Sequence, residues 1–236
     1  MMPGQNIKKE ERKKEMEKKD TVIFDLDGTL LDTLEDLKNS VNYALQSFGY
    51  PERTKDEVRR FVGNGILRLM ERAVPSGQDN PDFTKIFHAF QEHYGVHCND
   101  RTCAYEGILE LIEELQRRKV KMAIVSNKAD FAVKELNRIY FKDKIFVAIG
   151  EKEKEGIRKK PAPDTVMAAL RELESSPEKA VYVGDSEVDL ATANNCSMDY
   201  ILCEWGFRDR IFLEEKGGRV FVRRPEEILS YVISTQ

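Results

Sequence analysis

Val22-Ile23-Phe24-Asp25-Leu26-Asp27-Gly28-Thr29-Leu30-Leu31-Asp32-Thr33 is the stretch whose reading decides the fold. Val22 to Phe24 is a short apolar run, as a strand buried on both faces presents, and two carboxylates follow it, Asp25 and Asp27. Gly28 then permits a sharp turn, because it lacks a Cβ. Acids at the carboxyl end of a parallel strand lie where open α/β sheets bind ligands. Asp and Gly are also ordinary strand breakers, so the stretch has to be weighed with its surroundings.

Downstream, Leu34, Leu37, Val41, Ala44, Leu45 and Phe48 recur at helical spacing, and Gly49 and Pro51 stop that helix. Thr54-Lys55-Asp56-Glu57 is a capping-box pattern that opens a second helix. Gly63-Asn64-Gly65 interrupts it, Ile66 to Val74 resumes a helical pattern, and another helix spans about Asp82 to Tyr94. No strand candidate falls between Leu34 and Tyr94. From Gly107 onward helices and strands alternate. Strands are expected at Val120–Val125, Ile145–Ile149, Ala180–Val183, Asp199–Cys203 and Arg219–Val222, with a last helix from Pro225 to Ile233.

This pattern predicts an α/β protein: a doubly wound, mostly parallel, Rossmann-like sheet with an inserted all-helical domain. The core is expected at residues 21–33 and 104–236 and the helical insertion at 34–103. The insertion leaves just after the Asp25/Asp27 turn, so it is expected to cover those acids as a lid. Residues 1–20 are almost wholly charged beyond Gln5 and offer no apolar face, which predicts a disordered leader or a frayed helix.

Composition narrows the function. A formal charge of -4 gives no electrostatic case for nucleic acid or an anionic membrane. No apolar run approaches the ~20 residues of a spanning helix. Four cysteines do not suggest a disulfide scaffold, so a cytoplasmic protein, monomer or homodimer, is expected. His88, His93, His97 and Cys98 crowd together, but their spacing matches no usual zinc pattern, and they are read as helix surface.

In a parallel sheet the carboxyl ends of the strands share one edge. Asp25 and Asp27, Ser126 and Asn127, Lys159 or Lys160, and Asp185 with Asp189 are thereby expected to converge. Together they suit phosphoryl transfer: a carboxylate can attack phosphorus, a lysine and a hydroxyl can hold the phosphoryl oxygens, and paired acids call for a hard divalent cation. Singly they are less telling, since Ser-Asn is a common turn and acids are stabilised at any helix N-terminus.

Asp25-Leu26-Asp27-Gly28-Thr29, Ser126-Asn127, Lys160-Pro161 and Gly184-Asp185-Ser186-Glu187-Val188-Asp189 resemble the four ordered motifs of the haloacid dehalogenase-like (HAD) superfamily. The helical insertion after the first motif resembles the cap of the phosphoglycolate phosphatase subgroup. The resemblance implies that Asp25 is a nucleophile forming an aspartyl phosphate, and that Asp27 is the acid and base. It implies that Ser126, Asn127 and Lys160 bind phosphate. It further implies Mg²⁺ held by Asp25, the Asp27 backbone carbonyl and Asp185, with Asp189 supporting. An Asp at position 27 speaks for phosphatase over dehalogenase chemistry.

The substrate implied is a small phosphorylated metabolite, foremost 2-phosphoglycolate. Pyrophosphatase, nucleotidase, sugar-phosphate phosphatase or β-phosphoglucomutase activity remains open on the same scaffold, as does a catalytically idle HAD-like binding module. Gly63, Asn64 and Gly65, resembling the subgroup's cap loop, and Arg68 and Arg72 just beyond are candidates for substrate specificity. Trp205-Gly206-Phe207 also resembles a segment of these phosphatases, with a role that packing alone would explain.

Overall fold

The computed structural model of the chain describes residues 17–233. β1 (Thr21–Phe24) turns into the short β2 (Leu31–Asp32), after which α1 (Leu34–Gln46), α2 (Lys55–Phe61), α3 (Ile66–Ala73) and α4 (Phe83–His97) follow one another. β3 (Cys103–Ala104) brings the chain back to the sheet. Then come α5 (Ile108–Arg117), β4 (Lys121–Ala129), α6 (Asp130–Tyr140), β5 (Val147–Glu151) and α7 (Asp164–Glu172). The last elements are β6 (Ala180–Gly184), α8 (Glu187–Asn195), β7 (Asp199–Cys203), α9 (Arg210–Glu215) and β8 (Phe221–Val222).

The large sheet has six strands in the order β5-β4-β1-β6-β7-β8, all paired in parallel. β1 is therefore internal, and each of its residues is fully buried. Successive side chains of a strand point to opposite faces, and the two layers divide accordingly. Val22 and Phe24 pack with Ile108, Leu111 and Ile112 of α5 and Leu136 of α6. Ile23 packs on the other side with Val166 and Leu170 of α7. That two-sided burial is why the opening run is apolar throughout.

The helical insertion has an apolar cluster of its own. Leu37, Val41 and Leu45 of α1 meet Val58 of α2, Leu69 and Met70 of α3, and Ile86 and Phe90 of α4. The expected capping box starts α2: Thr54 accepts from the Glu57 N–H, and the Glu57 carboxylate accepts from the Thr54 N–H. One core residue joins this cluster, Phe207 from the segment after β7.

The chain leaves for the insertion and returns through an antiparallel β2–β3 ribbon. Its outgoing side is tied to its return side by Asp36. This buried carboxylate accepts from the N–H groups of Arg101 and Thr102 and from the Thr102 hydroxyl, at 2.8–3.0 Å.

Several local readings differ from expectation. β2 and β3 were not anticipated; two-residue strands are too short to show periodicity. α9 likewise carries no periodic signal, since its six residues bury only Leu213. The expected C-terminal helix is a 3₁₀ helix, Pro225–Tyr231. β4 runs past Val125 to Ala129, with its pairing to β5 interrupted in between. The leader expectation falls mostly outside the described residues. Lys19, however, belongs to the core: it is buried, donates its N–H to Tyr231, and pairs with Asp199 at 2.7 Å.

Candidate active site

Asp25 stands one residue beyond β1. Its N–H donates to the Val183 carbonyl at 2.9 Å, which continues the ladder to β6 and fixes the carboxylate at the strand end. Lys160, from the loop before α7, donates to Asp25 Oδ1 at 2.7 Å, Asp189 Oδ1 at 2.8 Å and the Tyr182 hydroxyl at 2.9 Å. All three ammonium donors are thereby used. Burial by itself would lower the pKa of this lysine, but Asp189 and Asp25 hold it well above its ordinary value. Lys160 is a buried permanent cation. Lys159 instead pairs with Glu153 at 2.8 Å near the surface, which separates the two neighbouring lysines.

Asp185 follows β6. Its Oδ1 accepts from the Thr29 hydroxyl at 3.1 Å and its Oδ2 from the Phe207 N–H at 2.6 Å. Gly28 has φ +88°, and a Cβ there would stand 2.8 Å from Asp185 Cγ. Glycine is thus required twice, for the turn and for the approach of this carboxylate. Asp189 accepts through Oδ2 from the N–H groups of Asp185 and Ser186 and from the Ser186 hydroxyl, which caps α8.

Asp25, Asp185 and Asp189 each offer an oxygen within 4.8 Å of the others. Burial first, and then the charge of Asp189, pushes the Asp25 carboxyl up to about 7. The same causes, with Asp25 added, raise Asp185 well above the usual carboxylate range. Gathered, desolvated oxygens of like charge are a donor set that fits a hard cation. Asp189, occupied on both oxygens by donors, is placed to orient the other two.

Asp27 belongs to a different pair. Its Oδ1 accepts from Lys128 at 2.9 Å, and Lys128 also contacts the hydroxyl of Tyr94, which comes from α4 of the insertion. The interrupted pairing of β4 lets consecutive residues Ser126, Asn127 and Lys128 serve one pocket. Asn127 Nδ2 donates to the carbonyls of Gly63 and Lys160, joining the insertion's loop to the lysine loop.

A profile of the haloacid dehalogenase-like hydrolases matches residues 22–203. The chain belongs to that family. This HAD-like hydrolase is 30% identical over 186 residues to the phosphoglycolate phosphatase of Aquifex aeolicus, covering 79% of this chain and 85% of that one. It is 33% identical over 192 residues to the phosphoglycolate phosphatase of Cereibacter sphaeroides, covering 79% and 86%. The crystal structure of a provisionally assigned phosphoglycolate phosphatase from Lactobacillus delbrueckii subsp. bulgaricus superposes with a TM-score of 0.87 at 34% identity, covering 92% of this chain and 99% of that one.

The HAD-like hydrolase's pocket has a polar floor and an apolar roof. Asp25, Asp27, Ser126, Asn127, Lys160 and Asp185 line it from the core, and Leu37, Val62, Ile66 and Leu69 from the insertion. About 50 Å³ lies free between them. Gly63 and Gly65 reach its wall. Asn64 lies in the same loop with a buried, unpartnered Nδ2.

Arg68 and Arg72 are not brought to this pocket. Arg68 pairs with Glu71 at 2.5 Å and Arg72 donates to the Phe61 carbonyl at 2.7 Å, both on the surface. They fall on the outer side of α3, whose inner side carries Leu69, Met70 and Ala73 into the core. The cations that do line the pocket beside Lys160 are Lys128 and Arg208, neither of them singled out in the sequence. Lys128 adjoins Ser126-Asn127 and Arg208 adjoins Trp205-Gly206-Phe207, so each lies one residue beyond a stretch the sequence marks. His93 stacks between Tyr43 and His97 on the insertion.

Proposed function

We propose that the chain is a Mg²⁺-dependent phosphatase acting on a small phosphorylated carboxylic acid, 2-phosphoglycolate foremost. The observation that carries this reading is the joining of Asp25, Lys160, Asp185 and Asp189 into one buried cluster with Asp27 beside it. The names of the relatives at 30% and 33% identity support the substrate. The chamber roofed by Leu37, Val62, Ile66 and Leu69 is of a size to take a small ester. The insertion, residues 34–103, serves as the cap over the site.

An oxygen of Asp25 attacks phosphorus as the bond to the ester oxygen breaks, and Asp27 gives that departing oxygen its proton. The Ser126 hydroxyl and Lys160, one of whose donors turns from Asp25 to the phosphoryl group, hold the equatorial oxygens as charge shifts toward them. Asp27, now ionised and held by Lys128, takes a proton from water, whose oxygen attacks the aspartyl phosphate. The bond between phosphorus and Asp25 breaks and inorganic phosphate leaves. Asp25, the Asp27 carbonyl and Asp185 would hold Mg²⁺, which when bound neutralises the repulsion between carboxylate and phosphate. Among the described residues no helix is long and apolar enough to cross a membrane.

A screen of phosphorylated metabolites with Mg²⁺ tests the proposal. Phosphoglycolate is expected to be turned over best, and Asp25→Asn to lower kcat by roughly a thousandfold or more. Strong turnover of another ester beside indifference to phosphoglycolate would replace the substrate. Full activity in Asp25→Asn would overturn the mechanism.

A further inference from the structure

The segment joining β7 to α9 touches both the insertion and Asp185, and it does so through reciprocal contacts. Arg59, on α2, donates to the carbonyls of Phe207 at 2.7 Å and Gly206 at 3.0 Å. Arg208 donates back to the carbonyls of Arg59 at 2.8 Å and Val62 at 2.7 Å. Those two carbonyls lie at the C-terminal end of α2, where helix carbonyls lack intrahelical partners and a cation is favoured. The planar fork of a guanidinium can serve two such carbonyls at once. Arg208 also pairs with Glu187 at 2.9 Å, at the start of α8 between Asp185 and Asp189.

The same segment holds one oxygen of Asp185 directly and contacts the residue that holds the other. The Phe207 N–H reaches Oδ2 at 2.6 Å while the Phe207 ring is buried in the insertion's apolar cluster. Trp205 Nε1 donates to the Thr29 carbonyl at 3.0 Å, and the Thr29 hydroxyl reaches Oδ1 at 3.1 Å. Gly206 lies so close that a Cβ there would stand 2.6 Å from Asp185 Cγ. One residue thus has its ring in the insertion and its amide on the carboxylate.

We propose that Trp205–Arg208 couples the seating of the helical insertion to the geometry of the metal-binding carboxylate Asp185, with Arg59 and Arg208 as positioning residues. The inference rests on the metal site proposed above. When the two arginines hold the insertion against the core, the Phe207 amide is fixed on Asp185. When the clasp is weakened, the carboxylate loses its orientation although no ligand has changed. Groups that orient a metal ligand commonly contribute tenfold or more to affinity.

Calorimetric titration of the full-length protein with Mg²⁺ alone, together with phosphatase kinetics, tests the coupling. Arg208→Ala and Arg59→Gln are each expected to weaken Mg²⁺ binding about tenfold and to lower kcat at saturating Mg²⁺. Arg208→Lys is expected to fall in between, since an ammonium keeps the Glu187 pair but lacks the fork. Arg59 is partly exposed, so its variant remains informative should Arg208→Ala not fold. Folded variants that bind Mg²⁺ as tightly as wild type, whatever their melting temperatures, would overturn the coupling alone. Wild-type protein that takes up no Mg²⁺ would overturn the coupling and the metal site together.

Discussion

Lys128 and Asp27 form a 2.9 Å ion pair whose lysine side chain is 2% exposed and whose aspartate is 15% exposed. The pair joins the residue proposed as acid and base to the insertion, because the Lys128 ammonium also contacts the Tyr94 hydroxyl and lies 4.9 Å from that ring's centre. Burial by itself would lower the pKa of Lys128, yet Asp27 and Tyr94 hold it above its ordinary value, so the cation is retained.

Lys128→Met is accordingly expected to lower kcat about ten- to a hundredfold by leaving Asp27 unoriented. Tyr94→Phe keeps the ring beside the ammonium and is expected to lower kcat only a few-fold. Steady-state kinetics of the two variants checks the ranking. Equal losses would place the burden on the hydroxyl instead.

Part of the pH dependence of the metal-free protein follows from Asp25. Its carboxyl is pushed up to about 7 in the folded chain, by burial and then by Asp189, against an unfolded value near 4. Between these values the unfolded chain binds fewer protons, so this group's contribution makes stability fall as pH rises through the window. Thermal melts in chelator should show wild type losing ground to Asp25→Asn from about pH 4 to pH 7. Added Mg²⁺ should raise the melting temperature of wild type at pH 8 more than that of the variant.

Gly206→Ala places a methyl group 2.6 Å from Asp185 Cγ, so either the carboxylate or the backbone must move. Overpacking of this kind costs about 1–3 kcal/mol. The expected result is a lower melting temperature with weaker Mg²⁺ binding, measured by scanning and titration calorimetry. Gly49→Ala is the comparison, since a Cβ at Gly49 meets nothing within 4 Å and only its φ of +74° is strained.

Asp36→Ala leaves the N–H groups of Arg101 and Thr102 and the Thr102 hydroxyl without their carboxylate. A buried donor left unsatisfied costs about 1–3 kcal/mol, and the losses here are shared, so a total on the order of 3 kcal/mol is expected. For a chain of this size that corresponds to a melting temperature lower by roughly 6–12 °C. Differential scanning calorimetry reads it directly.

Arg68→Ala and Arg72→Ala are expected to change kcat/KM for phosphoglycolate by less than about twofold, since both side chains face solvent with partners of their own. A large rise in KM in either variant would bring that residue back into the substrate site.

The helices of the insertion show how far local pattern reaches. Leu37, Val41 and Leu45 mark the buried side of α1 by spacing alone, and Thr54 with Glu57 marks the start of α2. The same reasoning did not place Arg68 and Arg72, because spacing says which residues share a helical face and not what that face meets. β2, β3 and α9 were too short to give a period at all.

By itself the sequence indicated the parallel α/β order, the helical insertion, and the candidates Asp25, Asp27, Ser126, Lys159 or Lys160, Asp185 and Asp189, all written into strand ends or the loops beside them. It did so because a buried strand must be apolar and its exit must carry the polar groups. Tertiary structure alone decided the partners of those residues. Lys128 meets Asp27 from 101 positions away, Arg208 meets the Arg59 carbonyl from 149, and Phe207 turns its amide to Asp185 while its ring enters the insertion. Contacts so distant along the chain leave no periodic trace, because they depend on how packed elements bring separate surfaces together.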